Sequence, residues 1–393
     1  MKRPLFYLVS CAGHPNYGDE IIAAGWLRFL AERHPEADIW LDCPNPGTAS
    51  LLFEGIHPRL NVTNTLWRAC WDAGTHSPDD IAAHVTKLVR DYGSPLFDLG
   101  LEKLRQADSL HLLGGGYLNA IWPHNAGLPV AMTAVREITG CRLYGTGLSL
   151  VPFNEDSAYL AEALAEFDQV SARDAPSAER YSVTHGVDDA FLAVDHELAR
   201  GLARGDNADV VISVQSDQTS ADIFDDAVAK AREVVGRVRE AGKVVKYVEA
   251  IPGTDYAGYE ALSDLIPQEN FVSFSSVWKD GLPLREGQTW FTTRFHLHFI
   301  AAAAGAEGVA IGIKEGYYDI KHGTLLEQGT GWAYGTRESP PGEPSRDRTF
   351  QNALKARVTT KWAEADGIYP VSKETESADV PVKDGWLSRR RRP

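Results

Sequence analysis

Short, continuous apolar runs alternate along most of this chain with longer stretches of helical period, the pattern of strands buried on both faces between helices. The first run, residues 5–10, reads as a strand and passes through Gly13-His14-Pro15-Asn16-Tyr17-Gly18-Asp19-Glu20 into an amphipathic helix over about residues 21–33. Further strands are predicted at 37–43, 61–70, 108–113, 142–145 and 169–172, with helices at 79–105, broken near 93–95, at 129–139 and at 155–166. A polar, glycine-punctuated stretch at 194–207 reads as a linker. The rhythm then restarts with strands at 209–215, 243–249 and 270–274, helices at 221–241 and 255–265, and a last strand–helix–strand–helix core at 290–329. Such alternation marks doubly wound parallel sheets. The expected organisation is α/β, with two similar Rossmann-like domains, 1–195 and 207–335, facing each other across a cleft. Residues 336–393 supply a helix crossing back at about 349–363 and a polar tail ending in Arg389 to Arg392, read as solvated.

The strand ends carry the candidate chemistry, because in open α/β sheets ligands bind beyond the carboxyl ends of the strands. The 290–329 stretch sets Arg294-Phe295-His296 at such an end, backs it with Ala301 to Ala304 and Gly305, and follows with Lys314, Tyr318 and Lys321. Arg294, His296 and the two lysines are expected to converge on one anion, a cation-and-imidazole corner suited to acid chemistry. Gly114-Gly115-Gly116 directly follows a buried strand, and its N–H groups are expected to form an anion-binding concavity. Arg173 ends another strand, with Asp174 capping the next helix. Asn16, Gly18, Asp19 and Glu20 lie where a loop meets a helix N-terminus, and either carboxylate can cap the helix or face the cleft to receive a hydroxyl. Taken singly, each of these residues is explained by a surface ion pair, a satisfied core histidine, a turn or a cap. Their recurrence at successive strand ends favours a shared site.

At 393 residues, 44% hydrophobic and 24% charged, the chain has the length and composition of a soluble two-domain protein. The formal charge of −15 argues against a nucleic-acid-binding surface, but a few focused cations can still hold an anionic substrate. Cys11, Cys43, Cys70 and Cys141 lie far apart, which fits a reducing cytoplasm and neither a disulfide framework nor a zinc site. The opening Met1-Lys2-Arg3 and apolar run to Cys11 imitate a short lipoprotein signal, yet the apolar core is too short and reads better as a strand. No run has the length of a membrane span. There is no G-x-G-x-x-G or Walker sequence, and no ligand-spaced cluster that demands a metal.

In order and spacing, Asn16-x-Gly18-Asp19-Glu20, Asp108 through Gly114-Gly115-Gly116, Arg173-Asp174-x-x-Ser177, Arg294-x-His296 and Tyr318-x-x-Lys321 resemble the polysaccharide pyruvyl transferase family over about residues 5–330. The resemblance implies two Rossmann-like domains in a glycosyltransferase-B-type arrangement. It further implies transfer of the enolpyruvyl unit of phosphoenolpyruvate, a co-substrate with no further cofactor, to two hydroxyls of one sugar, giving a pyruvate ketal. Arg173 and Arg294 would then contact the carboxylate and phosphate, His296 would be the general acid, and Lys321 would add to phosphate binding. Asn16, Gly18, Asp19, the three glycines and Tyr318 would complete the substrate site, with the acceptor on the N-terminal side. That acceptor is a glycan, a lipid-linked sugar or a nucleotide-linked sugar. Lys314 has no matching family position, and His298 and the tail after residue 330 depart from the pattern. Two other classes compete: a glycosyltransferase of the same fold using a nucleotide sugar, and a scaffold that has lost the reaction. Arg-x-His followed by two lysine-bearing turns favours the pyruvyl transferase over the glycosyltransferase, and the presence of Arg173, Arg294 and His296 together argues against the scaffold.

Overall fold

A computed structural model describes residues 3–371 except 76, 92, 94, 95 and 155–157. Strands β1 (Leu5–Val9), β2 (Asp38–Asp42), β3 (Leu60–Thr63), β4 (Ser109–Leu112), β5 (Arg142–Leu148), β6 (Gln169–Ala172) and β7 (Thr184–His185) form one sheet in the order β3-β2-β1-β4-β5-β6-β7. Strands β8 (Val210–Ser213), β9 (Val245–Val248), β10 (Phe271–Val272), β11 (Thr289–Thr292), β12 (Glu307–Ile311) and β13 (Ala333–Gly335) form a second, in the order β10-β9-β8-β11-β12-β13. Every ladder is parallel. The order reverses between β1 and β4 in the first sheet and between β8 and β11 in the second. These are the switch points where loops diverge above and below a sheet and open a crevice. Two Rossmann-like units in a glycosyltransferase-B-type arrangement thus bring both crevices to one interdomain cleft.

The two units share a core. The largest apolar cluster runs from Trp26 and Phe29 of the helix Tyr17–Arg33 through Phe191 to Phe299 of the helix Phe295–Ala303 and on to Phe350. Phe191 and Phe299 meet edge to face at 4.8 Å. The final helix, Thr349–Ile368, crosses back over the first half. Its Lys361 is fully buried and donates to Asp189 at 2.6 Å and to Glu364 at 2.5 Å. Asp189 also accepts from Trp26 Nε1 at 2.7 Å, Thr146 Oγ1 at 2.8 Å and the Gly114 N–H at 2.8 Å. One carboxylate therefore ties the returning helix to the glycine loop after β4.

Two sequence expectations are corrected. The strand expected at 61–70 is β3 followed by a helix, Thr65–Trp71. A continuous apolar run does not distinguish a buried strand from a buried helix. Here the Asp42 carboxylate accepts the N–H groups of Leu66 at 2.7 Å and Trp67 at 3.4 Å, giving the helix N-terminus its partners. The stretch read as a linker, 194–207, contains the helix Val194–Ala203. Its Glu197 is buried and accepts from the Tyr17 hydroxyl at 3.2 Å and Arg200 at 3.3 Å, so this one carboxylate anchors the helix inward while Asp195 and His196 stay exposed. The helix expected at 155–166 is described over Ala158–Ala165, its start and part of the break near 93–95 lying outside the described residues. The polar tail from 373, with Arg389 to Arg392, also lies outside them.

Candidate active site

The first crevice is built by the loop after β1. Asn16 caps the helix Tyr17–Arg33, accepting the Gly18 N–H at 3.3 Å and donating to Asp19 at 2.8 Å. The two neighbouring carboxylates then part. Glu20 turns inward, accepts the Gly13 N–H at 2.9 and 3.1 Å and is pushed up to about 8 by burial, so it braces the loop rather than facing the cleft. Asp19 lines the cleft; burial raises its carboxyl above the usual range, while His296, Lys321 and Arg173 pull the other way. After β4 the glycines divide likewise. Gly114 gives its N–H to Asp189 and Gly115, at φ +145°, pairs with Leu148, so neither lines the cavity. Gly116 does, close enough to Lys321 that an added Cβ would stand 2.9 Å from Nζ. The expected three-glycine concavity is therefore a one-glycine approach, the other two being bound up in the fold.

Arg173 follows β6 and is 3% exposed. Its Nη1 donates to Asp188 at 2.5 Å, and its guanidinium lies 4.5 Å over the Phe295 ring. Asp174 caps the next helix through the Ser177 N–H at 2.9 Å, which frees Arg173 for the cleft. Asp188 pays for its own burial through Arg173 and His296, which hold its carboxyl well below the usual carboxylate range.

The second crevice lies after β8 and β11. Arg294 stands immediately before the helix Phe295–Ala303 and is clamped by two carboxylates. Its Nε donates to Asp255 at 3.0 Å, and its Nη2 to Asp255 at 2.5 Å and Asp217 at 2.8 Å. Among the described residues its Nη1 makes no hydrogen bond. His296 stands in the first turn of that helix, packed against Gly18 so tightly that a Cβ there would fall 1.8 Å from Nδ1. Only glycine permits this contact between the two units. His296 Nε2 is buried and makes no hydrogen bond, and it lies 3.7 Å from Asp188 Oδ2, at ion-pair distance when the ring is protonated.

Lys321 donates to the Tyr317 hydroxyl at 2.5 Å, and its ammonium lies 3.8 Å from that ring's centroid. Burial first and Arg173 second lower it to about 7, against the attraction of Asp19. Tyr317 donates in turn to the Gly116 carbonyl at 3.1 Å, closing a bridge between the units. Tyr318 accepts from Gln215 Nε2 at 2.6 Å and also lines the cavity. Lys314 does not; its Nζ reaches Gln218 at 3.4 Å, so only one of the two lysines joins the cluster. His298 is fully buried behind it, stacked 4.2 Å from Trp332 and hydrogen-bonded to His322 Nδ1 at 3.1 Å and Thr330 at 3.0 Å. Burial, then His322, hold it well below the ordinary imidazole range, which makes it a neutral core histidine.

These side chains enclose a cavity of about 760 Å³ lined by Asn16, Gly18, Asp19, Gly116, Arg173, Arg294, His296, Tyr318 and Lys321. Its walls also carry Asp217, Tyr317, Trp67 and Trp71, which the sequence reading did not single out; Asp188 and Asp255 stand behind them. Three cations and an imidazole around one space can hold a small polyanion and hand it a proton. Among the described residues no group of three or more acidic, histidine or cysteine side chains could hold a metal ion, and no helix is long and apolar enough to cross a membrane.

A family model described as polysaccharide pyruvyl transferase matches residues 16–315, a span that begins at the Asn16 cap, includes Arg173, Arg294 and His296, and ends before Tyr317, Tyr318 and Lys321. The chain belongs to the polysaccharide pyruvyl transferase family. Among curated proteins, none matches it in sequence. Solved structures resemble it in fold. A Listeria monocytogenes protein described as a UDP-N-acetylglucosamine 2-epimerase aligns over 93% of this chain and 91% of its own, with a TM-score of 0.50 and 12% identity. The UDP-GlcNAc 2-epimerase of Neisseria meningitidis aligns over 94% and 95%, with a TM-score of 0.49 and 9% identity. At such identity the likeness is one of architecture, and the family rests on the sequence match.

Proposed function

We propose that this pyruvyl transferase family member takes phosphoenolpyruvate as donor and a sugar bearing two suitably spaced hydroxyls as acceptor. It forms a cyclic pyruvate ketal and releases phosphate. The observation that carries the reading is the buried Nε2 of His296, free of hydrogen bonds and backed at 3.7 Å by Asp188, at a cavity ringed by Arg173, Arg294 and Lys321.

In this reading the carboxylate and phosphate of the donor are held by the two guanidiniums, whose planar forks suit oxyanions, and Lys321 adds charge on the phosphate side. Protonated His296 gives its proton to the methylene carbon, so that C2 becomes oxocarbenium-like. One sugar hydroxyl attacks C2 and loses its proton to Asp19, whose burial makes it a better base than an ordinary carboxylate. The C2–O bond to phosphate then breaks, phosphate departs with the bonding pair and takes from Asp19 the proton of the first hydroxyl, and the second hydroxyl closes the ketal, losing its proton to the neutral imidazole. The histidine thus ends as it began. Phosphoenolpyruvate is the co-substrate and no further cofactor enters. We place the reaction in a reducing cytoplasm, on the wide spacing of the four cysteines along the sequence.

The test is thermal stabilisation by phosphoenolpyruvate, pyruvate, phosphate, UDP and a UDP-sugar on wild type and Arg294→Ala, since a ligand that binds only the folded state must raise its stability. Stabilisation by phosphoenolpyruvate that is lost in Arg294→Ala is expected. Stabilisation by UDP or the UDP-sugar alone would overturn the donor assignment in favour of a nucleotide-sugar glycosyltransferase.

A further inference from the structure

Trp71 ends the helix Thr65–Trp71 and lines the cavity while remaining 52% exposed. Single exposed apolar residues are normal on protein surfaces and call for no explanation. This one is held in place. Its ring stacks on His124 with centroids 5.1 Å apart and planes 16° from parallel. Its Nε1–H donates to Asn125 Oδ1 at 3.1 Å, and Asn125, itself buried, donates to the Tyr117 carbonyl at 2.9 Å. A buried amide therefore fixes an indole that stays half open, and with one face against His124 the open area belongs to the other face. One helical turn earlier, Arg68 donates to Asp72 at 3.1 Å, and both side chains line the same cavity while remaining more than a third exposed.

A rigid aromatic face with a planar guanidinium–carboxylate pair beside it matches one ligand chemistry closely. A pyranose ring presents an apolar C–H face and a rim of hydroxyls that both donate and accept. The first packs on the indole, and the second pairs with Arg68 and Asp72. The space also requires a second ligand. A three-carbon enol phosphate fills a small part of about 760 Å³, and the cations that suit it stand around His296 rather than around Trp71.

We propose that Trp71 is the stacking platform for a pyranose ring of the acceptor, with Arg68 and Asp72 at its hydroxyl rim. The proposal rests on the pyruvyl-transfer reading only in naming that sugar the acceptor. The experiment is saturation-transfer difference NMR with the methyl β-pyranosides of glucose, galactose and mannose, and with UDP as comparator, on wild type, Trp71→Ala and Trp71→Phe. Phosphoenolpyruvate-induced thermal stabilisation is measured on the same three proteins. At least one pyranoside is expected to bind wild type with its signal concentrated on the C–H protons of one ring face. Trp71→Ala should weaken it about tenfold, the factor that about 1.4 kcal/mol of lost stacking yields, and Trp71→Phe should recover most of it. Stabilisation by phosphoenolpyruvate should be equal in all three.

The proposal is overturned if no pyranoside binds wild type, if Trp71→Ala binds as well as wild type, or if only UDP responds to the substitution. It is equally overturned if Trp71→Ala dissociates an oligomer in sedimentation, which would make the indole a self-association contact. Pyranoside binding that follows Trp71 without any stabilisation by phosphoenolpyruvate would leave the platform standing and remove the donor reading.

Discussion

Lys361→Met tests how the returning helix is fixed to the site. Lys361 and Asp189 are both fully buried, and the ammonium stands 2.6 Å from the carboxylate. Burial alone would lower the lysine, but Asp189 and Glu364 override it and leave it raised. Methionine keeps most of the side-chain volume and removes the charge, so the loss is electrostatic rather than a cavity. Asp189 would keep only neutral donors, from Trp26, Thr146 and Gly114. Removing one partner of such a buried pair costs about 3–5 kcal/mol, which for a chain of this length lowers the thermal midpoint by roughly 4–6 °C. Adding Asp189→Asn removes the stranded charge and should restore about half of the loss, a coupling that a double-mutant cycle isolates. Because the folded lysine is raised above its unfolded value, its contribution is fully present below about pH 10 and is lost only as pH rises through the folded value. Differential scanning calorimetry of wild type, both single variants and the double variant near pH 7 measures all of this. A loss below about 1 kcal/mol for Lys361→Met, or a double variant no better than the single, would refute the reasoning.

Three further outcomes are expected. Gly18→Ala drives a methyl to 1.8 Å from His296 Nδ1, so it should displace the imidazole and cut turnover at least about a hundredfold with circular dichroism unchanged; normal turnover would show that the contact does not position the histidine. Asp217→Asn leaves Arg294 with Asp255 as its one counterion and should tighten phosphoenolpyruvate binding several-fold by calorimetry, whereas weaker binding would make Asp217 a ligand support. Lys321 is lowered to about 7 by burial and Arg173, so it loses its charge as pH rises through that value, and phosphoenolpyruvate affinity should fall with it. That dependence should be absent in Lys321→Met. Between about pH 7 and 10 the unfolded chain holds this proton and the folded one does not, so the same lysine makes stability rise with pH there.

The strands were legible because parallel strands covered on both faces are continuous apolar runs. The positions of Arg173, Arg294 and His296 followed from reading what comes next after each run. What the chain order conceals is which groups oppose those cations. Asp188, Asp217 and Asp255 sit in loops whose sequence resembles any polar turn, and only the lateral packing of strand ends within each sheet brings Asp188 to Arg173 and Asp217 and Asp255 to Arg294. The Gly114 to Gly116 loop misled for a related reason. Its N–H groups looked free, but Asp189 takes the Gly114 N–H and Gly115 is bridged to Leu148, its carbonyl accepting the Ser149 N–H at 3.0 Å. His296 and His298 are only two residues apart, yet a helix turns them about 200° from one another, one to the cleft and one to the core. Trp71 lay directly after a run read as a strand, and its place at the end of a helix could not be seen from that reading.

Phosphoenolpyruvate binding and turnover measured side by side on wild type, His296→Ala and His298→Ala bear most directly on the central claim. Binding is read by calorimetry. Turnover is read by mass spectrometry of a panel of methyl pyranosides and nucleotide sugars incubated with phosphoenolpyruvate, each scored for a pyruvate ketal. The account predicts ketal formation by wild type and by His298→Ala, the latter less stable because it empties a core site, and none by His296→Ala, which still binds the donor. Ketal formation that survives in His296→Ala and disappears in His298→Ala would contradict it.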